Sequence, residues 1–215
     1  KDFKKNIGIA KHNGLYESDI RPVNKTLEKH YLGVEPPKLQ TAFFDIEVDF
    51  DPERGFSSPE DPFTPITAIG VYLQWMDAMI CLAVPPKTLN WEQAQEVAKP
   101  LKEVMLFRTE GEMLDTFLTI IDDADILSGW NSETYDIPYI MNRITRVLGK
   151  SETRRMCLLG KLPKERSFVQ YGKETQSFDL VGRIHLDYLE LYRKYNYEER
   201  HSYRLDYIGE MEVGE

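Results

Sequence analysis

The stretch Phe43-Phe44-Asp45-Ile46-Glu47-Val48-Asp49-Phe50 constrains this chain more than any other. Its strict alternation predicts a β-strand with Phe44, Ile46, Val48 and Phe50 on one side and Asp45, Glu47 and Asp49 on the other. The apolar side pins the strand to a core. The acidic side sets a problem, because carboxylates two positions apart lie ~7 Å from each other by Cα and repel unless a cation or a proton comes between them. Two readings meet that condition: a divalent-metal cradle, or an edge strand with one wet acidic face.

A second informative stretch runs Gly129-Trp130-Asn131-Ser132-Glu133-Thr134-Tyr135-Asp136-Ile137-Pro138-Tyr139. The apolar run Ala124 to Leu127 before it predicts a buried strand that ends at Gly129. A helix is predicted from about Asp136, with Pro138 in its first turn and Ile137, Ile140, Met141, Ile144, Val147 and Leu148 on its core face. Asp136 then stands at a helix N-terminus, where its simplest role is to cap free N–H groups.

Around these two segments the pattern is regular. Residues 1–40 read as a polar connector from a preceding domain, with a turn at Asn13-Gly14, a short amphipathic stretch from Lys25 to Leu32 and a break at Pro36-Pro37. Residues 41–215 read as the globular domain. It opens with a strand (41–50), a loop rich in proline and acid (51–65) and strands at 66–74 and 78–84 that meet at Asp77-Ala78. A short strand, Val104 to Phe107, leads to the capping box Thr109-Glu110-Gly111-Glu112 and a helix whose core face is Met113, Leu114, Phe117, Leu118 and Ile121. Three antiparallel strands followed by alternating α/β elements, with flanking helices, is the order of an RNase H-like mixed sheet. Phe168 to Phe178 reads as two short strands about a Gly172-Lys173 turn, a β-hairpin inserted in that order.

Together these segments resemble the first two exonuclease motifs of family-B DNA polymerases. The likeness is carried by Phe44-Asp45-Ile46-Glu47-Val48, by Gly129-Trp130-Asn131, and by Tyr135-Asp136-Ile137-Pro138-Tyr139-Ile140 with Arg143 one turn on. Leu15 to Pro22 resembles the family's opening segment. Leu186 to Tyr192 and Ser202 to Ile208 resemble its late helices, and the wording is similar to that of T-even-type phage members.

The resemblance implies a proofreading 3′ to 5′ exonuclease domain that hydrolyses the 3′-terminal phosphodiester of DNA with two Mg²⁺ or Mn²⁺ ions. It implies that Asp45 bridges both ions, that Glu47 holds the nucleophile-side ion and that Asp136 holds the second. Asn131 and Tyr135 would position the terminal nucleotide, and Phe56 would stack beside the terminal base. Tyr171, Gly172 and Lys173 would form the tip of a strand-separating hairpin. The implied partners are the single-stranded primer 3′ end, the remainder of a polymerase chain and, through it, a sliding clamp and replisome in the host-cell cytoplasm.

The family's third motif, a Tyr followed after three residues by Asp, is not matched. Tyr203 and Asp206 are spaced one residue too short. The expectation is therefore a portion of a larger protein that lacks a fourth carboxylate and cleaves weakly alone, with Asp187 and Asp206 as the first substitutes to test. The alternative is a non-catalytic DNA-binding or polymerase-docking module in which the acids are relics.

Charge and cysteine usage narrow the class further. With 27 Lys plus Arg against 36 Asp plus Glu, the net charge of −9 excludes a simple basic module that coats nucleic acid. Positive charge is concentrated in Arg143, Arg146, Lys150, Arg154, Arg155, Lys161, Lys164 and Arg166, interrupted only by Glu152 and Glu165, a patch suited to phosphates or to a solvated loop. Cys81 and Cys157 have no zinc or disulfide spacing and fit a reducing cytoplasm. His12, His30, His185 and His201 are scattered, and no apolar run is long enough to cross a membrane.

Overall fold

The computed structural model describes residues 6, 20–170 and 172–214 of the chain; the Asn13-Gly14 turn, His12, Leu15 to Asp19 and Tyr171 lie outside them. The chain divides into two compact units, Lys1–Lys38 and Leu39–Glu215. In the first, helix α1 (Pro22–Tyr31) has Pro22 in its first turn and Lys29 and His30 in its last, the order that the helix dipole favours, and none of its residues is buried.

The second unit opens with β1 (Thr41–Val48), where the alternation holds as predicted: Ala42, Phe44 and Ile46 are buried, whereas Phe43, Asp45 and Glu47 are exposed. Phe50 departs from the expectation. The strand ends at Val48, and the Phe50 ring is exposed and meets Phe56 at a centroid distance of 4.9 Å instead of joining the core. The cause is a register shift between Glu47 and Val48, which breaks the alternation there.

β2 (Ile66–Leu73) pairs antiparallel with β1, and β3 (Ala78–Ala83) pairs antiparallel with β2 through a turn at Asp77, whose φ of 50° is a conformation that Asp tolerates. Helix α2 (Trp91–Ala98) follows, unforeseen in the sequence pattern because it buries only Ala94. Its start is nevertheless specified by a reciprocal cap, in which Asn90 accepts from the Gln93 amide at 2.9 Å while Gln93 accepts from the Asn90 amide at 3.0 Å. β4 (Val104–Leu106) runs parallel to β3.

Helix α3 (Glu110–Ile120) starts at the predicted box, with Glu112 N–H donating to Thr109 Oγ1 at 3.2 Å, and Met113, Leu114, Phe117 and Leu118 are buried. It packs on β2 and β3, and Phe117 meets Phe44 of β1. β5 (Ile126–Gly129) lies parallel to β1, and α4 (Asp136–Val147) follows it. Ile137, Ile140, Met141 and Ile144 of α4 are buried as expected and Leu148 packs half-buried against the core, but Val147 is exposed.

A 3₁₀ segment (Lys150–Met156) leads to the hairpin of β6 (Lys164–Gln170) and β7 (Lys173–Asp179), and then to β8 (Ile184–Asp187), α5 (Tyr188–Tyr195) and α6 (Leu205–Val213). β8 is a correction: Leu186 and Asp187 belong to a short strand parallel to β5, not to a helix. With only four residues, Ile184 to Asp187, its alternation is too short to stand out as a pattern. The main sheet has the order β4-β3-β2-β1-β5-β8 and the hairpin forms a separate two-stranded sheet. The central position of β1, between an antiparallel and a parallel neighbour, is the RNase H-like mixed sheet that the element order predicts.

Candidate active site

The carboxylates meet where β5 runs out. The parallel ladder between β1 and β5 pairs Phe43 with Ser128 as its last partners, so the β1 backbone beyond that point faces no strand on this side. The Ile46 N–H left over is taken by Asp136 Oδ1 at 3.3 Å. Asp136 thus substitutes for a missing strand carbonyl and is drawn to the part of β1 that carries Asp45 and Glu47. Gly129 allows this approach: a Cβ there would lie 2.7 Å from the Phe44 carbonyl and 2.9 Å from Ser132 Cβ.

Burial and charge act together on these acids. Asp136 is buried at the N-terminus of α4, and its carboxyl is pushed up to about 7, first by desolvation and then by the Asp45 charge, against the lowering effect of its own amide and that of Ile46. Asp45 faces solvent yet is also held above the ordinary carboxylate value, chiefly by partial desolvation and next by Glu47. The Tyr135 phenol is raised by burial and by the charges of Tyr139, Asp136 and Glu47. Asp45, Glu47, Tyr135 and Asp136 therefore form one electrostatic neighbourhood built from β1 and the start of α4. Among the described residues, however, no group of three or more His, Cys, Asp and Glu side chains is gathered so as to hold a metal ion. What fits a hard cation is the oxygen donors of Asp45 and Asp136, mutually destabilised while both are charged.

Asn131 adopts a left-handed conformation (φ 59°), with its N–H donating to Asp187 Oδ1 at 3.1 Å and its Oδ1 accepting from Thr134 Oγ1 at 3.0 Å. Phe56 is 74% exposed and does not anchor its loop on the core. The loop is held instead by one face of α4: Tyr139 binds Ser57 and Thr64, Asn142 donates to the Pro59 carbonyl at 2.7 Å, and Arg143 and Arg146 both donate to the Pro62 carbonyl. These positions have the spacing that puts side chains on one side of a helix. Gly172 sits in the left-handed region (φ 78°) between β6 and β7, while Tyr171 lies outside the described residues.

Two acids considered as substitutes for a fourth carboxylate have other work. Asp187 is buried and accepts from the amides of Asn131, Glu133 and Leu189, so it caps α5 and clamps the turn before Asp136. Asp206 pairs with Arg204 at 3.1 Å on the exposed first turn of α6. The basic stretch is also partly spent: Arg143 pairs with Glu110 in the interior, Arg146 with Asp61, Arg155 with Asp115, and Arg166 with Glu133 and Asp179. Sequence reading missed Arg183, whose guanidinium is buried and donates to the carbonyls of Ile121, Asp122, Ala124 and Met156; an arginine between Gly182 and a weak strand gave no signal.

One acid on the central strand β1 and another at the start of the helix that follows β5, in this sheet order, mark a domain of the RNase H-like fold. The family model of the DNA polymerase family B exonuclease domain matches residues 11–208, and the chain belongs to that family. It is 33% identical over 195 residues to the DNA-directed DNA polymerase of Escherichia phage RB69, covering 82% of this chain and 21% of that protein. It is 32% identical over 131 residues to the DNA-directed DNA polymerase of Enterobacteria phage T4, covering 58% of this chain and 14% of that protein. To the DNA polymerase delta catalytic subunit of Plasmodium falciparum (isolate K1 / Thailand) it is 30% identical over 214 residues, 92% of this chain and 18% of that subunit. The chain thus spans about a fifth or less of the length of these relatives. No helix among the described residues is long and apolar enough to cross a membrane.

Proposed function

We propose that this chain is the proofreading domain of a family-B DNA polymerase, hydrolysing the 3′-terminal phosphodiester of DNA. The observation that supports this reading is the Asp45–Asp136 pair, two hard oxygen donors near enough that the Asp45 charge helps raise the Asp136 carboxyl, a setting that favours a cation or a proton. Mg²⁺ or Mn²⁺ bound there, as two ions in the complete site, would supply Lewis-acid activation of water and stabilisation of the leaving 3′ oxygen. Asp45 and Asp136 would be the ligands, with Glu47 beside them on the same strand face. Asn131 and Tyr135 would position the terminal nucleotide. The exposed Phe56 ring would stack on the terminal base, since any base offers a face to an aromatic side chain. The hairpin tip at Tyr171, Gly172 and Lys173 would part the primer from its template. The polymerase remainder, a sliding clamp and a cytoplasmic replisome are the partners that such a domain implies.

A second reading, a DNA-binding or polymerase-docking module without catalysis, is favoured by a specific observation: the described residues gather no group of three metal-binding side chains, and Asp187 is already engaged by three amides. Single-turnover degradation of an end-labelled oligonucleotide, together with Mn²⁺ binding, separates the two. Proofreading predicts that Asp45→Ala and Asp136→Ala each weaken Mn²⁺ binding and excision by more than the roughly 10–100-fold that loss of a supporting partner costs. The docking reading predicts DNA binding with no metal-dependent cleavage in wild type or variant.

A further inference from the structure

We infer that Glu133 is a positioning residue that fastens the root of the β6–β7 hairpin to the turn carrying Asn131, Tyr135 and Asp136. Glu133 stands in the middle of that turn and is held from two sides. Its amide donates to Asp187 Oδ2 at 3.0 Å, which ties its backbone to β8. Its carboxylate turns the other way, toward the hairpin. There Arg166 Nη2 of β6 and Ser177 Oγ of β7, the latter at 3.2 Å, both donate to Glu133 Oε1. Arg166 and Ser177 are directly opposite each other in the hairpin register, so both strands converge on one oxygen. Arg166 is braced in turn by Asp179, with Nε–Oδ1 at 3.0 Å, and Ser177 is buried.

This arrangement has a direction. The backbone of the turn keeps its Asp187 anchor whatever side chain stands at 133, so the carboxylates and Asn131 stay in place without Glu133. The hairpin root loses a charge-assisted contact shared by both strands. Among the described residues one other side-chain hydrogen bond ties the hairpin to α4, from Asn142 Nδ2 to the neutral Gln176 Oε1 at 2.8 Å, and Phe178 of β7 is packed in the core. Removing Glu133 therefore loosens the angle of the hairpin without freeing it. The consequence for substrate rests on the proofreading reading above: duplex DNA, which needs its strands parted before its end can enter, would be excised more slowly, and single-stranded DNA would not.

The test compares Glu133→Ala, Glu133→Gln, Arg166→Ala and the double variant Glu133→Ala/Arg166→Ala in two measurements. In amide hydrogen exchange, β6 and β7 are expected to open about fivefold faster in each Ala variant, the effect of one charge-assisted contact, with β1 and β2 unchanged. The Glu133→Gln variant, which keeps an acceptor for Ser177 but not the charge, is expected to fall in between. The double variant is expected to fall short of the sum of the two single effects, because the Glu133–Arg166 contact is lost in each. In excision, the ratio of duplex to single-stranded rates is expected to fall by a similar factor. Additive effects, equal loss on both substrates, or faster exchange throughout the sheet would overturn the assignment. If the wild type degrades neither substrate, the proofreading reading falls, and exchange alone decides whether Glu133 fastens the hairpin.

Discussion

Asp136 shows how a single side chain that completes the backbone structure can be drawn into an acidic neighbourhood. It completes the hydrogen bonding of Ile46 where a strand ends, and in doing so it is buried next to another acid. Its folded value of about 7 lies above its ordinary 3.8, so the folded state holds the proton more tightly than the unfolded chain. The stability this contributes is complete below about pH 4 and is lost as pH rises through 7. In chelator-treated protein, Asp136→Asn is therefore expected to match the wild type near pH 4 and to exceed it above pH 7, by at most about 4 kcal/mol. Urea unfolding across that range measures it, and parallel curves for the two proteins would show that Asp136 does not carry the coupling. Phe56 presents the opposite case, a large apolar ring left in water and braced by Phe50, with its loop tied to α4 by polar contacts.

At the scale of elements, the joints are made by buried polar side chains. Arg143 and Glu110 join α4 to the start of α3, and Glu110 also accepts from the Ile66 amide at 2.9 Å, so three elements share one ion pair. Arg183, just before β8, gathers carbonyls from the end of α3 and from the 3₁₀ segment. The Ile121 carbonyl also accepts from the Ala124 amide at 3.0 Å, and the guanidinium supplies the further donors that a buried helix end needs. Arg183→Met is expected to lower stability by about 3 kcal/mol, and Arg183→Lys to recover little of it, because an ammonium cannot reach several carbonyls with the fixed fork of a guanidinium. Equilibrium unfolding provides the measurement. A loss below about 0.5 kcal/mol would mean that water replaces the guanidinium without penalty.

Across the whole molecule, charge sets the terms on which DNA is met. The chain carries a net −9, and four of the eight basic residues between Arg143 and Arg166 are paired with acids. That leaves Lys150, Arg154, Lys161 and Lys164 from the stretch for phosphates. Binding of a single-stranded oligonucleotide is then expected to weaken with salt by a slope no steeper than about −3 in log–log form, roughly 0.7 per neutralised phosphate. Anisotropy titrations at several salt concentrations give the slope, and a value near −6 would show that the paired arginines are released on binding. The sequence by itself determined what is periodic or strongly worded: the β1 alternation, the capping box of α3, the apolar face of α4, the hairpin, and the motifs that mark the family. Each of these is written in neighbouring residues, because strand alternation, helix periodicity and caps are local properties of the backbone. Only the tertiary structure decided that Asp136 answers Ile46, that Asp187 clamps a turn instead of standing free, that β8 forms with so little apolar signal, and that half of the basic stretch is neutralised. Those outcomes depend on partners 33 to 90 residues away in the chain, such as Glu133 for Arg166 and Ile46 for Asp136, and on which backbone groups are left unpaired when the strands end. A local pattern carries no record of either.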